Sequence, residues 1–162
     1  MKFLRCEGED FYLEFTSEEK DVLQLLLSFY PLVPATYHRL TQDAQQPKRE
    51  ENQQLLDEAL SAQREQNGKA IRALLSEPGR FTETAEASQG RFGRGDLEWL
   101  LQVVNDVRVG SWIAQGSPGY EKKKGRPAKA KLRHALYMEL AGAFEMFFLG
   151  VINGDVPPET PE

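Results

Sequence analysis

Polar and apolar residues alternate at the start of the chain and then change period. "KFLRC" and "FYLEF" flank "EGED", and Phe11, Leu13 and Phe15 alternate with Tyr12 and Glu14. That is the two-residue period of a half-buried strand. Gly8-Glu9 suits a two-residue turn with Gly in the first central position, which predicts a β-hairpin over 2–15. A lone hairpin is marginal in water, so this one is expected to lie on something else. In "TSEE", Thr16 and Glu19 have the spacing of a capping box, and a helix follows through Val22, Leu25, Leu26 and Phe29. Pro31 and Pro34 stop it near Tyr30.

Residues 35–46 read as a loop. Pro47 suits a first helical turn, and Glu50 and Glu51 fall near the positive end of a helix dipole. Leu56, Ala59, Leu60, Ile71, Leu74 and Leu75 share a face if one helix runs from about 48 to 76, with Asn67-Gly68 as the point where it would break. The remaining positions are Gln, Glu, Arg and Lys, so only that face is expected to be buried. "EPGRFTETAEASQGRFGRG", residues 77–95, reads as a Gly/Ser/Thr-rich loop. Its length predicts mobility or a job, such as docking a partner. It lacks the Gly-Lys-Ser/Thr of a phosphate loop.

Asp96 is the expected N-cap of a helix over 97–114, followed by a basic loop over 116–129. The last helix, about 130–152, is apolar on nearly every side, which predicts a place at the centre of a bundle. Ala141-Gly142-Ala143 would let a neighbouring helix approach closely. The tail, "GDVPPETPE", is expected to be disordered over 154–162. The predicted fold is therefore mainly α: a bundle of four to five helices with a short N-terminal β-hairpin packed on it, in one domain over 1–153.

Composition agrees with a folded domain. The chain has 162 residues, 40% of them hydrophobic and 10% aromatic, enough to fill a core without staples. Cys6 is the single cysteine; it cannot form an internal disulfide and gives no metal site, and no cofactor is expected. "MKFLRCEGED" lacks the apolar run of a signal peptide. Residues 135–152 are the one candidate membrane span, but Glu139 and Glu145 would be costly in hydrocarbon. A cytoplasmic location is expected. The net charge of −5 is uneven: residues 120–134 hold seven Lys or Arg against one Glu, a net of +6, which leaves −11 on the rest.

The helix 97–114 carries a polar anomaly. At 100° per residue, Leu97, Leu100, Leu101, Val103, Val104 and Val107 form one apolar arc. Glu98, Gln102 and Asn105 lie opposite, Asp106 lies near the edge, and Arg108 falls inside the arc. In the last helix Glu139 falls among Leu132, Leu136, Ala143 and Met146. Two misplaced opposite charges predict a buried Arg108–Glu139 pair, with Glu145 as the alternative carboxylate and Asn105 or Asp106 satisfying remaining donors. Loss of one partner would then cost roughly 3–5 kcal/mol. The competing reading is a catalytic acid–base cluster. His38 and His134 lie far from it in sequence, with no ligand partner at metal spacing. No nucleophile elbow, Cys–His signature or dinucleotide fingerprint occurs, and a non-enzymatic protein is expected.

"LEWLLQVVNDVRVGSWI" and "ALYMELAGAFEMFF", with the start "FLRCEGEDFYLEFTSEE", resemble the bacterial domain of unknown function numbered two-thousand-seventeen. Asn105, Asp106 and Arg108 match its L-N-D-x-R helix and Leu136 and Tyr137 its later Leu-Tyr; Val104 stands where that pattern has Leu. The resemblance touches the hairpin, the first helix and the last two helices. It implies a helical domain with an N-terminal hairpin and brings no established activity.

"KKKGRPAKAK", residues 122–131, resembles an AT-hook. Gly125, Arg126 and Pro127 match the core that lies in a narrow A·T minor groove, with Lys122, Lys123, Lys124, Lys129 and Lys131 placed for phosphates. Lys124 departs from the family, which has a second groove-reading Arg there. The plainer reading is a solvated basic loop, and the acidic remainder would repel a nucleic acid. Two function classes follow. The first is a protein-interaction or adaptor-type domain with an unknown protein partner, for which Phe81, Phe92 and Tyr120 are candidate anchors. The second is a nucleic-acid-associated protein using 122–131.

Overall fold

The computed structural model describes residues 1–38, 49–116 and 128–159. Strands β1 (Lys2–Glu7) and β2 (Asp10–Thr16) form the predicted hairpin. Gly8 turns the chain at φ 64°, a left-handed conformation that a side chain would strain. Phe11, Leu13 and Phe15 are buried on the inner face, while Tyr12 and Glu14 lie on the other. That outer face stays wet, with the Arg5 guanidinium over the Tyr12 ring and Gln89 bonded to Glu14.

The segment 77–95 is not a loop. It contains β3 (Phe81–Glu83) and β4 (Ala87–Gly93), and β4 pairs with β2 along its whole length. The result is a four-stranded antiparallel sheet in the order β1-β2-β4-β3. Phe11 faces Phe92, Leu13 faces Gly90 and Phe15 faces Ser88. Gly90 makes room for aromatic rings: a Cβ there would lie 2.5 Å from the Phe92 ring and 3.1 Å from the Phe81 ring. Phe92 is a core residue and Phe81 packs half-buried, edge to face, against it, so neither is a free docking anchor. Tyr120 lies outside the described residues.

Helix α1 (Ser17–Ser28) starts on the expected capping box: the Glu19 amide donates to the Thr16 hydroxyl, and the Thr16 amide donates to the Glu19 carboxylate. The terminal ammonium of Met1 also pairs with Glu19. Helix α2 (Arg49–Ser76) runs 28 residues without a break at Asn67-Gly68. Asn67, Ile71 and Leu74 are buried; Leu55 and Leu75 are exposed, so α2 is embedded chiefly through its second half. Helix α3 (Arg94–Ala114) begins earlier than expected. Asp96 is therefore not the N-cap but the third helical residue, and its carboxylate accepts the Gly93 amide at 3.1 Å and Arg80 at 2.6 Å.

Leu97, Leu100, Val103, Val104 and Val107 of the predicted α3 arc are fully buried, while Leu101, also in that arc, is only partly buried. Helix α4 (Ala128–Asn153) packs along α3 and reaches the sheet, where Phe144 stacks on Phe15. It is not the centre of a bundle. It buries Ala141, Phe144, Phe148 and Val151 and leaves its opposite face in solvent. The tail is ordered at least through Glu159: Asp155 and Val156 amides return to the Gly150 carbonyl, and the Glu159 amide donates to Phe3. A tail that bonds to both α4 and β1 is part of the fold through Glu159, which corrects the expected disorder from 154. The protein is mainly α, with four α-helices among the described residues rather than four to five.

Candidate functional site

The three polar residues of α3 divide into two jobs. The Asp106 carboxylate accepts the amides of Leu32 and Val33, at 2.6 and 3.2 Å. It thus fixes the chain after α1 to the side of α3 and satisfies two donors that no regular element pairs. Asn105 accepts a bond from Arg108 Nη2 at 2.9 Å, as expected of it.

Arg108 meets Glu145, not Glu139. Its Nε lies 2.6 Å from Glu145 Oε2 as an ion pair. Glu139 is exposed on the far side of α4. Six residues separate the two carboxylates, about 240° around a helix, so only one of them can face α3. The side chains of Arg108 and Glu145 remain 41% and 27% exposed. The paired Nε is itself buried, so this is a half-buried pair rather than the fully buried one expected from the sequence, worth about 1 kcal/mol.

A second polar group joins three elements. Asn67 of α2 is buried; its amide donates to the Tyr30 hydroxyl at 2.8 Å and accepts from the Trp99 indole at 3.0 Å. Arg64 donates to the Val33 carbonyl at 2.8 Å. Burial raises the Tyr30 phenol above its ordinary pKa, more than the Asn67 bond lowers it. Between these groups lies a cleft of about 230 Å³ lined by Tyr30, His38, Arg64, Asn67, Asn105 and Asp106. Tyr30, Arg64, Asn67, Asn105 and Asp106 all spend polar atoms on bonds within the chain. These bonds tie α2, α3 and the chain after α1 together. Sequence reasoning saw Asn67 only as a helix breaker. The missed signal is its spacing: positions 67, 71 and 74 share the inward face.

Lys122, Lys123, Lys124 and Arg126 lie outside the described residues, with the Gly-Arg-Pro core. Lys129 and Lys131 are exposed at the start of α4, as are Leu132 and Arg133. No group of three or more His, Cys, Asp or Glu able to hold a metal occurs among the described residues. α4 is the one helix among them long and apolar enough to cross a membrane, by length and composition.

The most unusual surface is the outer face of α4. Leu132, Leu136, Met146 and Leu149 are 73%, 54%, 77% and 47% exposed, with Ala143 exposed between them and Glu139 in their midst. Spacings of four, three, four and three from Leu132 to Met146 keep 132, 136, 139, 143 and 146 on one stripe. Trp112 of α3, one turn beyond Arg108, is 42% exposed. The Arg108–Glu145 pair runs along the border of this stripe. Isolated exposed apolar residues are ordinary on a protein, but a contiguous run of large ones marks a contact surface.

Comparison with protein-family models, with curated proteins and with solved structures finds no match for this chain. The kinship expected from the L-N-D-x-R pattern therefore rests on the residues quoted for it.

Proposed function

We propose that this is a non-enzymatic interaction domain whose docking surface is the outer face of α4. The observation that carries the reading is the stripe of Leu132, Leu136 and Met146, each more than half exposed on a helix whose other face is core. A face serving only stability would be polar here, because solvent-facing Leu and Met gain nothing from folding. The docking face is therefore α4 and not the 77–95 segment, whose aromatic residues are occupied in the sheet. The Leu-Tyr pair supplies one residue to each side of α4. Leu136 faces out, while Tyr137 packs its ring on Phe29 with centroids 4.6 Å apart.

Size-exclusion of native extract tests the reading. The tagged 18.4 kDa chain is expected to elute as part of a larger assembly, and Leu136→Glu/Met146→Glu as the lone chain. If both elute as the lone chain, α4 is not a docking face.

Exposed Lys129, Lys131 and Arg133 at the start of α4 favour a second reading, contact with DNA or RNA through 122–131. A salt-dependent, A·T-preferring anisotropy signal that vanishes on Lys122/Lys123/Lys124/Arg126→Ala would establish it.

A further inference from the structure

The outer face of α4 has features that select one kind of occupant. This inference rests on the docking reading and names the partner. We propose that the occupant is a second copy of the same chain, with the two α4 helices antiparallel about a two-fold axis level with Ala141.

The first argument is register. Reversal about residue 141 sets Leu136 opposite Met146 of the second copy and Glu139 opposite Ala143. Leu132 comes opposite Leu149, beside Gly150, whose outer side Val156 of the tail covers. Each large exposed side chain thus meets an apolar or small position, and the one carboxylate in the stripe meets a methyl. The 3.5-residue repeat keeps these contacts in line over the length of the helix, as in a two-stranded coiled coil. A two-fold contact must be complementary to itself, and this stripe is.

The second argument is charge. One end of α4 carries exposed Lys129, Lys131 and Arg133. The other end carries exposed Asp155 and Glu159, partly offset within the chain by Lys2, 3.6 Å from Glu159, and by Arg94, which donates to the Ile152 carbonyl. Antiparallel pairing sets each cationic end against the acidic end of the other copy. Parallel pairing would stack like on like. A lipid surface fits less well. Helices that lie on membranes distribute cations along the polar face, whereas here they sit at one end and Glu139 interrupts the apolar stripe.

The area sets the strength. Seven turns of helix span about 39 Å and are about 10 Å wide, so the projected contact is roughly 400 Å² per copy. The two copies together would bury about 800 Å², below the range of stable interfaces, so weak, concentration-dependent pairing is expected.

Sedimentation velocity on the purified full chain, from low to high micromolar, tests the proposal. The wild type is expected to shift from monomer to dimer. Leu136→Glu/Met146→Glu is expected to stay monomeric with an unchanged melting temperature. Glu139→Leu is expected to tighten pairing by at least about tenfold, because it removes the one seam charge. Orientation is read by oxidising mixed chains in a Cys6→Ser background. Leu136→Cys with Met146→Cys is expected to cross-link. Leu136→Cys alone is not, because its two copies lie about 15 Å apart along the axis, beyond disulfide reach. A wild type that stays monomeric throughout overturns the proposal, as does cross-linking of Leu136→Cys to itself. Binding of the monomer to anionic phospholipid vesicles through Leu136 and Met146 overturns it in favour of a membrane. If the purified chain is monomeric but the extract assembly depends on Leu136 and Met146, the docking reading stands and only the second copy fails.

Discussion

Helices α3 and α4 lie side by side, and their apolar residues meet opposite fates. In α3, Leu97, Leu100, Val103, Val104 and Val107 are all fully buried, while Arg94, Glu98 and Gln102 are exposed. In α4 the apolar residues run round the whole helix, yet only Ala141, Phe144, Phe148 and Val151 are buried. The apolar residues of α3 are explained by the core. Those of α4 exceed what the core uses, and the excess is collected on one stripe. Hydrophobicity alone therefore does not place a helix at the centre of a fold; what lies on each side of it does. α4 has α3 and the sheet on one side and solvent on the other.

The largest test of this contrast is on the inner face of α4. Phe148 is fully buried, so Phe148→Ala is expected to cost about 3–5 kcal/mol in denaturant unfolding. A cost below 1 kcal/mol would mean that neither face of α4 supports the fold. Next comes the polar edge of α3. Asp106→Ala strands the amides of Leu32 and Val33 and is expected to lose about 1–3 kcal/mol by the same measurement. Arg108→Met, by contrast, is expected to lose about 1 kcal/mol, because the side chains of the pair with Glu145 are only half-buried. A loss of several kcal/mol would restore the buried-pair reading.

The smallest effect is a pH dependence at the start of the chain. Burial opposes ionisation of Glu19, but bonds from the Met1 ammonium and the Thr16 amide hold its pKa below the ordinary carboxylate value. A carboxylate whose pKa is lower folded than unfolded adds stability above the unfolded pKa, and this is lost as pH falls through the folded value. Glu19→Gln is therefore expected to melt below the wild type at neutral pH, with the gap closing in acid. A gap that persists unchanged in acid would show that the carboxylate charge is not what Glu19 contributes.

The elements legible in the sequence were those with local signals. The β1–β2 hairpin has strict alternation and a glycine turn, α1 has its capping box, and α3 has one clean arc. The β3–β4 hairpin was not legible because the inward positions of β4 are Ser88, Gly90 and Phe92. Two of these three are too small to show alternation, since β4 lends its space to the rings of Phe92 and Phe81. Asn67 was missed because a buried amide linking Tyr30 and Trp99 involves residues 37 and 32 positions away. The polar triplet was located correctly, but its partner was not. A helix apolar on every side has no phase; the sequence favoured Glu139 over Glu145, and α3 reverses that choice. The exposed stripe of α4 was hidden for the same reason.

One pair of variants tests the contrast most directly. Equilibrium unfolding of Leu100→Ala and Met146→Ala, at a concentration low enough to keep the chain monomeric, weighs a core position of α3 against an outer position of α4. Leu100→Ala is expected to lose about 2–5 kcal/mol and Met146→Ala no more than about 0.5 kcal/mol. Equal losses would contradict the account, since they would place Met146 inside the fold and leave α4 with no face to offer.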